Sequence, residues 1–250
     1  MARIVSDPPA DTRAGGVPLA AAERRSARAA LESALREHGL EPPPAAVAPL
    51  ADYLALLVRW RRRKRIAGPA EPVELAVEAV VDALHVAPLV PPAGRLYDVG
   101  SGAGFPGLPL ALLDPARHLT LIEPQAGRAA LLRLAVATLG LDARVWAEPV
   151  QRVVERIDAG EASPADAAVA RAFLPPDDWL AVGRRLVRSG GSILVLAGAD
   201  WPGPSDPTGL VLAGRVEYAL RGRRTRRAWA FRRADGARPD RVTPAGGRRG

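Results

Sequence analysis

Near the N-terminus, three stretches carry apolar residues at helical spacing. In 22–38, Leu31 and Leu35 share one face and Gly39 supplies a stop. The prolines of Glu41–Pro44 make a stiff joint. A second helix is predicted over 46–61, where Leu50, Leu54 and Leu57 form a stripe. A third begins near Pro72, a residue suited to a first helical turn, and carries Val73, Val77, Val80, Val81 and Leu84. After Val90 the pattern changes to short aliphatic runs alternating with helical ones. Strands are predicted at 95–99, 118–123, 143–147, 166–170 and 192–197. Helices are predicted at 106–113, 126–139, 149–158 and 176–188. Such alternation predicts a mostly parallel sheet with helices on both faces. Two further strand-like runs, 209–218 and 225–232, leave no room for a helix between them and predict an antiparallel hairpin at the sheet edge.

This pattern is that of a Rossmann-like α/β fold with a seven-stranded, mostly parallel sheet and a small helical N-terminal region. The boundaries read as a disordered tail at 1–21, a helical region at 22–90, an α/β domain at 91–233 and a disordered basic tail at 234–250. Hydrophobic residues make up 48% of the 250-residue chain and aromatics only 4%, so aliphatic side chains and alanine must fill the core. There are no cysteines, which excludes disulfides and thiolate metal sites. No apolar run reaches the roughly 18 residues of a spanning helix, and the N-terminus lacks a secretory signal, so a cytoplasmic protein without a membrane role is expected.

The formal net charge is +8, which favours polyanionic partners. Arginine carries nearly all of it, Lys64 being the one lysine. That bias also fits the base composition of a GC-rich genome. Two basic segments stand out. Five basic residues run from Arg61 to Arg65, and they repel one another unless a polyanion is present. In 225–233 arginines alternate with Trp229 and Phe231, as in a strand with arginines on one face and apolar residues on the other. A charged edge strand protected from aggregation has the same pattern.

The densest chemical signal is the segment from Asp98 to Gly107, DVGSGAGFPG, placed between a predicted strand and a predicted helix. Gly100, Gly102 and Gly104 allow a sharp turn and close approach to a ligand. The helix that follows would point its first N–H groups at that ligand. Gly102, Gly104 and Gly107 also satisfy the dinucleotide pattern, so an NAD-type oxidoreductase is an alternative. Asp98 separates the two. A carboxylate at the strand end favours a ligand carrying an ammonium and a sulfonium, and disfavours a pyrophosphate. Glu123, about 20 residues further on, suits the hydroxyls of a ribose, which both cofactors contain.

Other chemistry is sparse. His38, His85 and His118 have no metal-ligand spacing, and no nucleophile elbow or phosphate-binding loop occurs. No metal is expected, and no catalytic side chain is identified. Transfer of a methyl group to a ring nitrogen with a free lone pair tolerates this poverty, because it can proceed by holding donor and acceptor in line. Guanine N7 is such an acceptor, among others.

With these residues in view, the chain resembles the bacterial small-subunit ribosomal RNA guanine-N7 methyltransferases, the glucose-inhibited division protein B family. The likeness runs from about Leu50 to Phe231. It is carried by DVGSGAGFPGLPLAL (98–112), VDALHVAPLV (81–90), LTLIEPQAGRAALLR (119–133) and Ala170–Phe173. The resemblance implies a class I methyltransferase fold and S-adenosylmethionine as cofactor, with ribosomal RNA or the small ribosomal subunit as partner and a monomeric state. It implies that Gly100 and Phe105 line the cofactor pocket, that Val150 and Gln151 hold the adenine, and that Arg171 lies beside cofactor and substrate. Asp98, Gly102 and Glu123 join that set from the physical reading. The chain departs from the family pattern where Gln151 replaces an acid, Arg65-Ile66-Ala67 replaces Asn-Leu-Thr, Ala79 replaces a histidine, Ala197 replaces a lysine, and Glu123-Pro124 replaces Asp-Ser. Because most of these lie on the substrate side, a methyltransferase with a changed substrate, or a non-catalytic RNA-binding factor that kept the fold, are the alternatives.

Overall fold

The computed structural model describes residues 15–64, 71–198, 200–220 and 225–235. Three helical segments come first: α1 (Ala21–His38), α2 (Pro44–Lys64) and α3 (Pro72–Ala76). Strands and helices then alternate as β1 (Gly94–Val99), α5 (Gly107–Leu113), β2 (Arg117–Ile122), α6 (Ala126–Leu139), β3 (Ala143–Trp146), α7 (Val150–Asp158), β4 (Ala165–Ala170), α8 (Pro176–Leu186) and β5 (Val187–Gly198). The hairpin β6 (Leu210–Ala219) and β7 (Thr225–Arg233) completes the chain.

The sheet has seven strands in the order β3-β2-β1-β4-β5-β7-β6. The first five are parallel, and β7 runs antiparallel between β5 and β6. The order reverses between β1 and β4, which opens a crevice at their carboxyl ends where ligands of open α/β sheets bind.

One apolar cluster joins the N-terminal helices to the sheet. Leu31, Leu54 and Tyr53 belong to the same core as Leu96, Leu108 and Leu194. The helical region is therefore a layer packed on the sheet face beside α5 and α6. Its stripes Leu31/Leu35 and Leu50/Leu54/Leu57 are all buried, as their spacing predicts.

Three expectations are corrected. Residues 15–21 are described and packed on the fold: the Val17 amide donates to Thr138 Oγ1 on α6 at 2.9 Å, and Leu19 is buried in the apolar core. Residues 1–14 and 236–250 lie outside the described residues. The third helix is not continuous α-helix. A π-helical turn, Val77–Val81, separates α3 from α4 (Asp82–Val86). Finally, 225–233 does not alternate arginine against core. Ala228, Trp229, Ala230 and Phe231 are all buried, since β7 is an interior strand covered on both faces. Three of its four arginines are engaged within the fold, Arg226 with Asp82, Arg227 with Glu217, and Arg233 with the carbonyls of Arg184 and Val187, while Arg232 is exposed.

Candidate active site

The glycine turn lies where β1 ends. Gly100, Gly102 and Gly104 all have positive φ, 68°, 56° and 98°. At Gly100 a side chain is excluded by space as well, since a Cβ there would come within 2.7 Å of Phe173 Cδ2. At Gly102 the space above the backbone is open, the nearest atom to a Cβ being the Gly100 carbonyl at 3.8 Å. The turn is tied from two sides. The Ser101 hydroxyl donates to the Asp98 carbonyl at 2.8 Å, and the Tyr53 hydroxyl, buried in α2, donates to the Ala103 carbonyl at 3.1 Å.

Asp98 acts from beneath this turn rather than at an open mouth. It is 1% exposed, and its Oδ2 accepts from the Gly107 amide at 3.1 Å. Its Oδ1 is buried with no hydrogen-bond partner. Burial pushes the Asp98 carboxyl up to about 7, against the Gly107 amide, which holds it down, and Glu123 adds to the rise. Glu123, at the end of β2, is 2% exposed and also occupied: Oε2 accepts from the Gly102 amide at 3.0 Å and Oε1 from the Gln125 amide at 2.9 Å. The acid expected at the ribose thus also fixes the shape of the turn.

The first amides of α5 do not face outward, as the sequence suggests. Gly107 donates to Asp98, and Leu108 donates to the Gly104 carbonyl at 2.7 Å. A pyrophosphate would find these donors taken and a carboxylate in the way, which disfavours a dinucleotide. A cationic ligand fits better, because Asp98 holds a buried carboxylate oxygen with no partner. S-adenosylmethionine meets that chemistry.

After the third strand, Val150 is buried and Gln151 is exposed in the first turn of α7. On the other side, Arg171 follows β4. Ala172 next to it adopts φ 51°, an uncommon conformation for a residue with a Cβ. The Arg171 guanidinium carbon lies 4.6 Å from the centre of the Phe105 ring, a cation–π contact. Its Nη1 donates to the Glu78 carbonyl at 2.6 Å and its Nη2 to Glu78 Oε1 at 2.7 Å. Glu78 lies within the π-helical turn, whose altered spacing leaves a carbonyl available to a side chain.

Below Arg171 is a polar hub that sequence reasoning does not single out. Asp82 is 1% exposed. The Tyr218 hydroxyl donates to its Oδ1 at 2.7 Å. Its Oδ2 faces Arg171 at 3.2 Å and Arg226 at 2.8 Å, as ion-pair contacts without hydrogen-bond geometry. Burial beside Asp82 raises the Tyr218 hydroxyl above its ordinary value. The one available signal was the four-residue spacing of Glu78 and Asp82 on one helix face.

Of the basic run Arg61–Arg65, Arg65 lies outside the described residues, as do Ile66 and Ala67. Among the described residues no group of three or more His, Asp or Glu could hold a metal ion, and no helix is long and apolar enough to cross a membrane.

Comparison with known proteins shows the family and the fold. A ribosomal RNA small subunit methyltransferase G of Anaeromyxobacter dehalogenans is 36% identical over 189 residues, covering 75% of this chain and 84% of that protein. The protein of that name from Xanthomonas euvesicatoria is 37% identical over 171 residues, covering 68% and 76%. A solved structure from Listeria monocytogenes, described as a class I S-adenosylmethionine-dependent methyltransferase, superposes with a TM-score of 0.51 at 11% identity, covering 88% of this chain and 91% of its own. It supports the fold alone. The sequence pattern of the GidB family, rRNA small subunit methyltransferase G, matches residues 47–201, and the chain belongs to that family.

Proposed function

We propose that this protein transfers a methyl group from S-adenosylmethionine to N7 of a guanine in small-subunit ribosomal RNA. The observation that carries the reading is the glycine turn with the buried, unpartnered Asp98 oxygen beneath it, in a chain of this family. The cofactor supplies an electrophilic methyl on a sulfonium. Gly100, Gly102 and Phe105 line its path, Asp98 offers negative charge to its cationic end, and Glu123 stands ready for the ribose. Val150 supplies an apolar wall for the adenine, and the Gln151 amide oxygen can accept from its amino group. Arg171, pinned by Glu78 and stacked on Phe105, separates the cofactor side from the acceptor side.

Guanine N7 carries a free lone pair, so no base is required. What the chain must do is hold the two reactants in line and keep water away, which can account for much of the rate. The test is mass analysis of ribosomal RNA from a strain lacking this gene. N7-methylguanosine should fall at one position and return on complementation. An unchanged nucleoside profile rejects the assignment.

A further inference from the structure

A cavity of about 380 Å³ lies at the carboxyl ends of β4 and β5, beside β7. Its lining includes Arg171, Ala172, Leu196, Ala197, Tyr218 and Arg226, with Asp82 at its base. Arg171 belongs both to this cavity and, through Phe105, to the glycine turn. The cavity therefore opens beside the place where a bound cofactor would present its methyl group.

Its electrostatics narrow the occupant. Three arginines border it, and each has an acidic partner: Arg171 with Glu78, Arg226 with Asp82, and Arg227 with Glu217. Because the charge is balanced, the cavity is not built for a phosphate. Leu196, Ala197 and Ala172 give an apolar wall on which a planar ring can lie. At the rim, Arg226 spends one terminal nitrogen on Asp82 at 2.8 Å. Its other N–H donors have no partner among the described residues. An apolar wall facing fixed N–H donors suits a neutral heterocycle with a carbonyl at its edge.

Resting on the methyltransferase reading above, we propose that this cavity receives the acceptor guanine, turned out of its helix, and that Arg226 selects it by donating an N–H to O6. Adenine carries an amino group at that position, and two donors would then face each other. O6 adjoins N7 on the same edge, so a single N–H on O6 leaves the N7 lone pair free for the methyl group. Asp82 is a positioning residue: it holds Arg226 and Arg171 at a fixed separation, and Tyr218 holds Asp82. Base flipping of this kind is how enzymes reach ring atoms inside a duplex.

The test combines transfer and binding on the full-length protein. Methyl transfer from labelled S-adenosylmethionine to small subunits from a strain lacking this gene is measured for wild type, Arg226→Met and Arg226→Lys. Arg226→Met should lose at least 100-fold in kcat/KM while S-adenosylhomocysteine affinity stays within twofold. Arg226→Lys should recover at least tenfold of that loss, since an ammonium can still donate to O6. Equal transfer by Arg226→Met and wild type overturns the proposal. If wild type transfers nothing, the methyltransferase reading fails, and calorimetry with guanosine monophosphate on protein saturated with S-adenosylhomocysteine still decides about the cavity. Binding that exceeds that of adenosine monophosphate and is lost in Arg226→Met supports it. Equal affinity for the two nucleotides, or no binding of either, overturns it.

Discussion

Asp98 Oδ2 accepts a hydrogen bond from the Gly107 amide at 3.1 Å, so the acid that ends β1 also anchors the start of α5. The second oxygen of the same carboxyl has no partner. Such a group is costly to ionise by itself and ionises readily beside a cation. The Asp98 carboxyl stands at about 7, raised mainly by burial. Between about pH 4 and 7 the folded state then binds more protons at this site than the unfolded state does, so its contribution to stability falls as pH rises. The asparagine variant keeps an oxygen for Gly107 and never ionises. Asp98→Asn should therefore unfold at a higher temperature than wild type at pH 7.5, with the difference shrinking toward pH 4. Thermal denaturation across that range checks it, and a variant less stable than wild type at pH 7.5 contradicts the account.

The same carboxyl predicts a pH dependence of cofactor affinity. A cationic ligand prefers the ionised form and lowers its pKa, so binding releases a proton. Affinity for S-adenosylmethionine should rise as pH goes from 5.5 to 7 and then level off. Isothermal titration in two buffers of different ionisation enthalpy would detect the released proton. In Asp98→Asn the rise should vanish and the affinity at pH 7.5 should drop at least tenfold.

Arg171 is held by Glu78 and Asp82 in a setting where its side chain is 15% exposed. Removing it takes the bidentate guanidinium from Glu78 and one of the two arginines from the nearly fully buried Asp82, which keeps Arg226 and Tyr218, and this costs about 3 kcal/mol. Arg171→Ala should lower the melting temperature by roughly 6–12 °C, taking about 2–4 °C per kcal/mol for a chain of this size. Arg171→Lys keeps the charge but cannot serve Glu78 with two nitrogens and stack on Phe105 at once. It should recover most of the stability and little of the transfer rate. Full activity in Arg171→Lys would show that the planar fork is not needed.

The glycines separate strain from access. Gly100→Ala combines φ 68° with a Cβ 2.7 Å from Phe173, so both the turn and Phe173 must shift. Gly102→Val meets only the backbone penalty, about 1–2 kcal/mol, because the space beyond its Cα is open. That open space is where the proposed cofactor lies. Gly102→Val should thus remain folded by circular dichroism yet lose S-adenosylhomocysteine binding. Retained affinity in the folded variant would move the pocket away from residues 98–107.

How far the sequence shows these features depends on the range over which each is encoded. The glycine turn, Asp98 and Glu123 stand within one strand–turn–helix unit, and their roles follow from local pattern. The Asp82 hub does not show in that way. Tyr218 reaches it across 136 positions and Arg171 reaches Glu78 across 93, and only the closed sheet brings them together. The π-helical turn that exposes the Glu78 carbonyl has no periodic signature beside ordinary helix. The arginines of β7 mislead for a related reason. Alternation in the sequence suggests a two-faced edge strand, but placement between β5 and β6 makes the strand interior, where Arg226 pairs with Asp82 of a distant helix and Arg227 with Glu217 opposite it on β6.

Gln151 stands where the family resemblance leads one to expect an acid, and it is exposed in the first turn of α7. An amide oxygen accepts from an adenine amino group as a neutral partner, whereas a carboxylate makes a charge-assisted bond stronger by about 1 kcal/mol. A negative charge in the first turn also interacts favourably with the helix dipole, by about 0.3–1 kcal/mol. Gln151→Glu should therefore tighten S-adenosylhomocysteine binding by about fivefold, with unchanged or slightly higher stability and no change in the acceptor base selected. Calorimetric titration of the variant measures the first and denaturant unfolding the second. Weaker binding in Gln151→Glu would place the adenine elsewhere in the crevice, away from the first turn of α7.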